Sequence, residues 1–197
     1  MSRTIGFDLD MTLIDSRPGI RAVYEELSRQ TGVFIDAELA VSRLGPPLTW
    51  ELEHWFPAEA VPEMFTRYRA MYPEIAIPRV VAMPGAAEVL TAARELGRAI
   101  VITAKAGDNA ALHLDHLGLP YDAVIGDAWR EQKAEVLVRE SADTYVGDHV
   151  HDMDAARIAG VTGIGVPSGP CSADELRAAG AAHVADSLAE VAGLLSR

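Results

Sequence analysis

Along most of the chain, short apolar runs alternate with longer stretches of helical periodicity. Thr4-Ile5-Gly6-Phe7 reads as a buried first strand and runs directly into Asp8-Leu9-Asp10-Met11-Thr12-Leu13. From about Ser16 to Pro78 no strand is predicted. Ile20, Val23, Tyr24 and Leu27 have helical spacing, and Thr31-Gly32 closes that helix. Gly45-Pro46-Pro47 breaks the chain, and Thr49 is placed to cap a helix containing Leu52 and Trp55. Met64, Phe65, Tyr68 and Met71 mark a further helix after Pro62, which Pro73 and Pro78 are expected to end.

After Pro84 the rhythm changes. Helices are predicted over 86–96, 108–117, 131–139 and 152–159, and strands over 98–103, 123–126, 144–146 and 161–166. Two more helices flank a short element at His183-Val184. Such alternation implies an α/β fold, a three-layer Rossmann-like parallel sheet with helices on both faces. The expected division is a core of residues 1–15 and 79–197, with a small helical cap, 16–78, inserted between them.

In such a sheet the site lies beyond the carboxyl ends of the strands. The first strand delivers Asp8 and Asp10 there, on the same side if the chain stays extended. The strand at 98–103 ends in Thr103, Lys133 opens the helix after the third strand, and Thr144-Tyr145-Val146 runs into Gly147-Asp148-His149-Val150-His151-Asp152. Two acids crowded at one strand end repel, which suits a bound cation, or a pair in which one acid attacks and the other carries a proton. The whole set suits phosphoryl transfer. Asp8 is the expected nucleophile and Asp10 the acid and base. Thr103 and Lys133 would hold phosphoryl oxygens. Asp148, with Asp152 behind it, would hold a hard cation, best matched by Mg²⁺.

Composition narrows the field. The net charge is −12 over 197 residues, so no basic face for nucleic acid is expected. No apolar run approaches a membrane span and no leader pattern precedes the first strand, so a soluble cytoplasmic protein, monomer or homodimer, is expected. The single cysteine, Cys171, excludes an internal disulfide and a thiolate metal cluster, and it reads as inert. Only Lys105 and Lys133 among 17 basic residues are lysines, which singles them out as compact point charges.

At this point the chain resembles the haloacid dehalogenase superfamily. The resemblance rests on Asp8-Leu9-Asp10-Met11-Thr12, Thr103, Lys133 and Gly147-Asp148-x-x-x-Asp152. Asp15-Ser16, Met83-Pro84-Gly85 and Asp152-Met153-x-Ala155-Ala156-x-x-Ala159-Gly160 add to it. These look like the subgroup of phosphoglycolate phosphatase and β-phosphoglucomutase. The resemblance implies Asp8 as nucleophile, Asp10 as acid/base, and Mg²⁺ on the Asp8 carboxylate, the Asp10 backbone carbonyl and Asp148. Relatives usually have glycine where Met11 stands, many have asparagine where Ala104 stands, and proline is common where Ala134 stands.

Substrate contacts are expected from Met11, Thr12, Ala104, Lys105, Arg43 and His149, and metal contacts from Asp8, Asp10, Asp148 and Asp152. Arg43 and Gly45 also read as a helix end with a favourable cation and a glycine stop. His149 is expected to line the pocket and His151 to lie on a surface loop. Trp50, Trp55 and Phe56 read as cap core. The expected activity is a Mg²⁺-dependent phosphatase on a small phosphorylated metabolite, with a glycolate-like ester as best guess. Asp10 speaks against a dehalogenase, and the absence of lysine in the cap against a phosphonate hydrolase using a Schiff base. A sugar phosphomutase would need cap arginines such as Arg21, Arg43 or Arg67 for a second phosphate. A non-catalytic phosphate-binding regulator is the remaining alternative, supported by Met11.

Overall fold

The computed structural model describes residues 2–196. Strands β1 (Arg3–Phe7), β4 (Gly97–Ile102), β5 (Ala123–Ile125), β6 (Thr144–Gly147), β7 (Thr162–Gly165) and β8 (His183–Val184) form one parallel sheet in the order β5-β4-β1-β6-β7-β8. β1 is central, with Phe7 opposite Val101 on one side and Val146 on the other. Its first residue beyond the strand, Asp8, donates its N–H to the Val146 carbonyl at 2.8 Å. The end of β1 is thereby tied to the end of β6.

Period-2 alternation decides the layers. Ile5, Phe7, Ala99, Val101 and Val146 pack on one face with helices α5 (Ala86–Leu96), α6 (Gly107–His116) and α10 (Leu188–Leu195). Ile100, Ile102 and Tyr145 pack on the other with α7 (Glu131–Arg139) and α8 (Val150–Ala159). Gly6 points to this second face, where a Cβ would lie 2.9 Å from the Tyr145 ring and 3.2 Å from Leu137. The ring of Tyr145 fills that gap. Beyond β7, α9 (Ala173–Ala178) leads into β8.

Between β1 and α5 the chain forms helices α1 (Arg17–Thr31), α2 (Ala37–Ser42), α3 (Leu48–Leu52) and α4 (Val61–Ile75), then a 3-10 turn at Ile77–Arg79. Val23, Leu27, Leu52, Tyr68 and Tyr72 build an apolar cluster distinct from those of the sheet. Two short strands, β2 (Ile14–Asp15) and β3 (Val81–Ala82), pair antiparallel where the chain leaves and re-enters the sheet.

Three local expectations are corrected. Thr49 is not a cap: α3 starts after Pro47, whose fixed φ suits the position before a helix, and Trp55 lies beyond its end. Pro73 does not stop α4, which continues to Ile75; a proline near a helix end forfeits a hydrogen bond without ending the turn. Helix α2 and the β2–β3 ribbon were not predicted. α2 has six residues and each ribbon strand two, too short to show a period.

Candidate active site

Past β1 the backbone doubles back on itself. The Leu9 carbonyl accepts from the N–H groups of Leu13 (2.9 Å) and Ile14 (3.1 Å), and the Met11 N–H returns to the Ile14 carbonyl at 2.8 Å. Met11 sits at φ 62°, the left-handed region in which a Cβ is strained. Glycine would adopt this conformation without strain. Here the loop is braced by Ser168, whose hydroxyl donates to the Met11 carbonyl at 2.6 Å.

Asp8 and Asp10 both face one cavity of about 180 Å³, closed by the sheet edge below and helices α1–α4 above. Each meets a different lysine. Lys133, in the first turn of α7, donates to Asp8 Oδ1 and to Asp152 Oδ1, both at 2.7 Å. Lys105 Nζ lies 3.1 Å from Asp10 Oδ1 and donates to Tyr72 Oη at 2.8 Å. Tyr72 in turn meets His113 Nε2 at 2.9 Å. Burial opposes the charge on both lysines, but Asp152 and Asp8 around Lys133, and Asp10 with Tyr72 around Lys105, outweigh it and raise both pKa values.

Asp152 is a support. Its Oδ1 also accepts from Tyr145 Oη at 3.3 Å, and its Oδ2 accepts the His149 N–H at 3.1 Å, closing the cap of α8. Asp148 accepts from the Thr12 hydroxyl at 2.8 Å. Thr12, expected as a substrate contact, is fully buried, and its hydroxyl braces Asp148. Thr103 is buried but lines the cavity, and its Oγ1 accepts the Lys105 N–H at 3.1 Å.

Asp8, Asp148 and Asp152 can each place a carboxylate oxygen within 4.8 Å of the others. Burial, with Asp152 and Asp10 adding to it, pushes Asp8 up to about 7 against the pull of Lys133. Burial and the neighbouring Asp8 and Asp152 also raise Asp148 well above the carboxylate range. Three buried acids facing one ammonium make a cation-seeking donor set. Oxygen-only ligands with few protein donors fit a hard divalent ion. Asp152 already spends both oxygens, which leaves Asp8 and Asp148 as the carboxylates free to hold one.

Met11, Ala104, Lys105, Arg43 and His149 line the cavity. So does His151, which is half-buried beside Trp129 rather than on an open loop. Arg43 follows α2 and is held in a bidentate pair with Glu51. Trp50 does not join the cap core with Leu52 and Phe56: it is 40% exposed and lines the cavity. Sequence reasoning missed Tyr145, Ser168, Gly169 and Glu51. The first three were findable by extending the strand-end rule, since Tyr145 sits on β6 and Ser168-Gly169 follow β7. Gly169 is a close-approach residue, where a Cβ would lie 1.7 Å from Asp148 Oδ2.

Residues 5–166 match the family model of the haloacid dehalogenase-like hydrolases. The chain is 28% identical to a protein of Dickeya dadantii named "Probable phosphatase IndB", over 98% of this chain and 93% of that one. A haloacid dehalogenase-like family hydrolase from Streptococcus pneumoniae superposes with a TM-score of 0.85 at 22% identity, covering 98% of this chain and 97% of that one. A predicted phosphoglycolate phosphatase from Haemophilus somnus does so with a TM-score of 0.83 at 18% identity, again over 98% and 97%. The sheet order, the carboxylates at the strand ends and a match that spans most of the chain agree, and this protein belongs to the haloacid dehalogenase-like hydrolase family.

Proposed function

We propose that the protein is a Mg²⁺-dependent phosphatase that hydrolyses a small phosphate monoester through an aspartyl-phosphate on Asp8. The observation that carries this reading is the buried ion-paired cluster: Lys133 holds Asp8 and Asp152 at 2.7 Å, with Asp148 adjacent and Asp10 in the same cavity. Relatives named phosphatase support it.

An Asp8 oxygen attacks phosphorus as the bond to the ester oxygen breaks, and Asp10 gives the leaving oxygen its proton. Water then attacks the same phosphorus, losing its proton to Asp10, and Asp8 is released with inorganic phosphate. Burial would raise the Asp10 pKa, but the Lys105 ammonium, together with Ser16 and His113, more than offsets it and holds the resting carboxyl below its usual range. The acid step therefore begins with Lys105 turning from Asp10 toward the incoming phosphoryl oxygens. Lys133 fixes the attacking carboxylate and shares the charge of the transferring group. Asp8, Asp148 and the Asp10 carbonyl would hold Mg²⁺, which supplies charge neutralisation at the phosphoryl oxygens.

Mg²⁺-dependent phosphate release from a panel of small esters tests this. Wild type releases phosphate, Asp8→Asn does not, and Asp10→Asn loses about 10²–10⁴-fold. No release from any ester, with Mg²⁺ binding intact, would sink the phosphatase reading. Which ester is hydrolysed depends on what faces the leaving alcohol. The sequence favours a glycolate-like one, whose carboxylate needs a free cation.

A further inference from the structure

Away from the carboxylates the cavity wall is aromatic. Tyr24, Trp50, Phe65 and Tyr68 contribute from the helices above, and Trp129 from the loop before α7. Both tryptophans line this cavity. The Gly45-Pro46-Pro47 loop leads into Trp50, and a Cβ at Gly45 would lie 3.7 Å from the Trp129 ring. Trp50 is the informative one. It is 40% exposed while Leu52 and Phe56, on either side of the next turn, are buried in the helical cluster. Its ring meets the His54 ring, centroids 4.3 Å apart, and the Arg43 guanidinium at 5.9 Å. The rest of the indole is apolar area on the cavity wall, open to a flat partner.

The cations of the same cavity each face a carboxylate in the resting site, Arg69 in a pair whose Asp127 side chain is 68% exposed. Lys133 faces Asp8 and Asp152, and Lys105 faces Asp10. Arg43 forks onto Glu51, whose Oε1 also accepts the Trp55 Nε1–H at 2.8 Å, and Arg69 pairs with Asp127 at 3.2 Å. Seating a carboxylate or second phosphate on Arg43 would break a bidentate pair and strand Glu51, which is only 6% exposed. Among the described residues, every lysine and arginine lining this cavity has a carboxylate partner.

We propose that the alcohol of the substrate carries a planar, uncharged unsaturated ring, aryl or heteroaromatic, that packs against the Trp50–Trp129 wall, and that it bears no second acidic group. This rests on the phosphatase reading of the same site. It ranks phosphoglycolate and sugar bisphosphates as poor substrates. A nucleoside 5′-monophosphate, whose single phosphate is the reacting one, has the required chemistry.

The test compares kcat/KM for benzyl phosphate, a nucleoside 5′-monophosphate, glycerol phosphate, phosphoglycolate and a sugar bisphosphate. Benzyl phosphate is used because its alcohol is as poor a leaving group as an aliphatic one, so any gain comes from the ring. Ring esters are expected to lead by about ten-fold or more, the scale of one stacked aromatic contact. Trp50→Ala is expected to lower kcat/KM for benzyl phosphate about ten-fold more than for glycerol phosphate, mainly through KM, with Trp50→Phe restoring most of it. Glu51→Gln, which releases Arg43, is expected to improve phosphoglycolate relative to benzyl phosphate. Phosphoglycolate or a bisphosphate as the best substrate, or equal losses on all esters in Trp50→Ala, would overturn the ring site and leave the phosphatase standing. Binding of the same esters to Asp8→Asn, followed by tryptophan fluorescence, separates the two readings. Ring-selective binding without wild-type turnover overturns the phosphatase and keeps the ring site, and binding that ignores the ring overturns the ring site.

Discussion

Met11 shows how two residue-scale effects compete. Its left-handed backbone costs about 1–2 kcal/mol, which glycine would relieve. Its side chain is 3% exposed, and deleting a buried side chain of that size costs about 2–5 kcal/mol. The second term is larger, so Met11→Gly is expected to destabilise the protein, by up to about 4 kcal/mol. A urea midpoint that rises instead of falling would contradict this. Lys133 is a stronger case. Removing it in Lys133→Met leaves Asp8 and Asp152 buried without their cation, a loss of about 3 kcal/mol or more. Because Asp8 takes up a proton near 7, that loss is expected to be largest above neutrality and to shrink as the pH falls below it. Denaturation of the variant across pH reads this directly.

At the scale of elements, glycines at turns and glycines at close approaches make different demands. Gly32 ends α1 at φ 72° with open space around it, so Gly32→Ala meets only backbone strain, about 1 kcal/mol. Gly147 ends β6, and a Cβ there would lie 2.5 Å from the Asp152 carboxylate. Gly147→Ala must displace Asp152, and Lys133 with it, so it is expected to abolish phosphate release even where the protein still folds. Circular dichroism and the ester assay on both variants distinguish the cases: a fully active Gly147→Ala would contradict the close packing. Helix α5 and helix α7 were readable to the residue because each presents a buried face with a regular period. Helix α2 and the β2–β3 ribbon were not, since they are too short to show a period, nor was the continuation of α4 past Pro73, where a proline near the helix end does not stop the turn.

For the whole molecule, pH acts through two opposed sets of groups. Burial lowers His113 from 6.5 to about 3, with Lys105 adding to it; the folded protein then binds fewer protons than the unfolded chain between those values. That contribution is present above 6.5 and is lost as the pH falls toward 3, by at most about 1.4 kcal/mol per pH unit. His113→Gln is expected to flatten this acid limb, measured as Tm against pH. Asp8 works the other way: its raised pKa favours the fold below about 4, and this is lost as the pH climbs to about 7. A divalent cation binding Asp8 and Asp148 requires them ionised, so Mg²⁺ is expected to raise Tm more above neutrality than in mild acid. An equal or smaller rise above neutrality would argue against these carboxylates as its ligands. His113 also joins α6 to Tyr72 of α4, so its titration reports on the contact between the helices above the cavity and the sheet layer below.

The chain by itself determined the layered parallel sheet and the residues at its strand ends. Period-2 and period-3.6 patterns are local, and a parallel sheet sends every strand terminus to one edge. Asp8, Asp10, Thr103, Lys133 and Asp148 are therefore legible one motif at a time. Only the tertiary structure decided which lysine meets which acid, that Thr12 braces Asp148, that Arg43 is taken by Glu51, and that Trp50 opens on the cavity. Each of these depends on how the helices between β1 and α5 close over the strand ends. Contacts between segments far apart in sequence have no period to read.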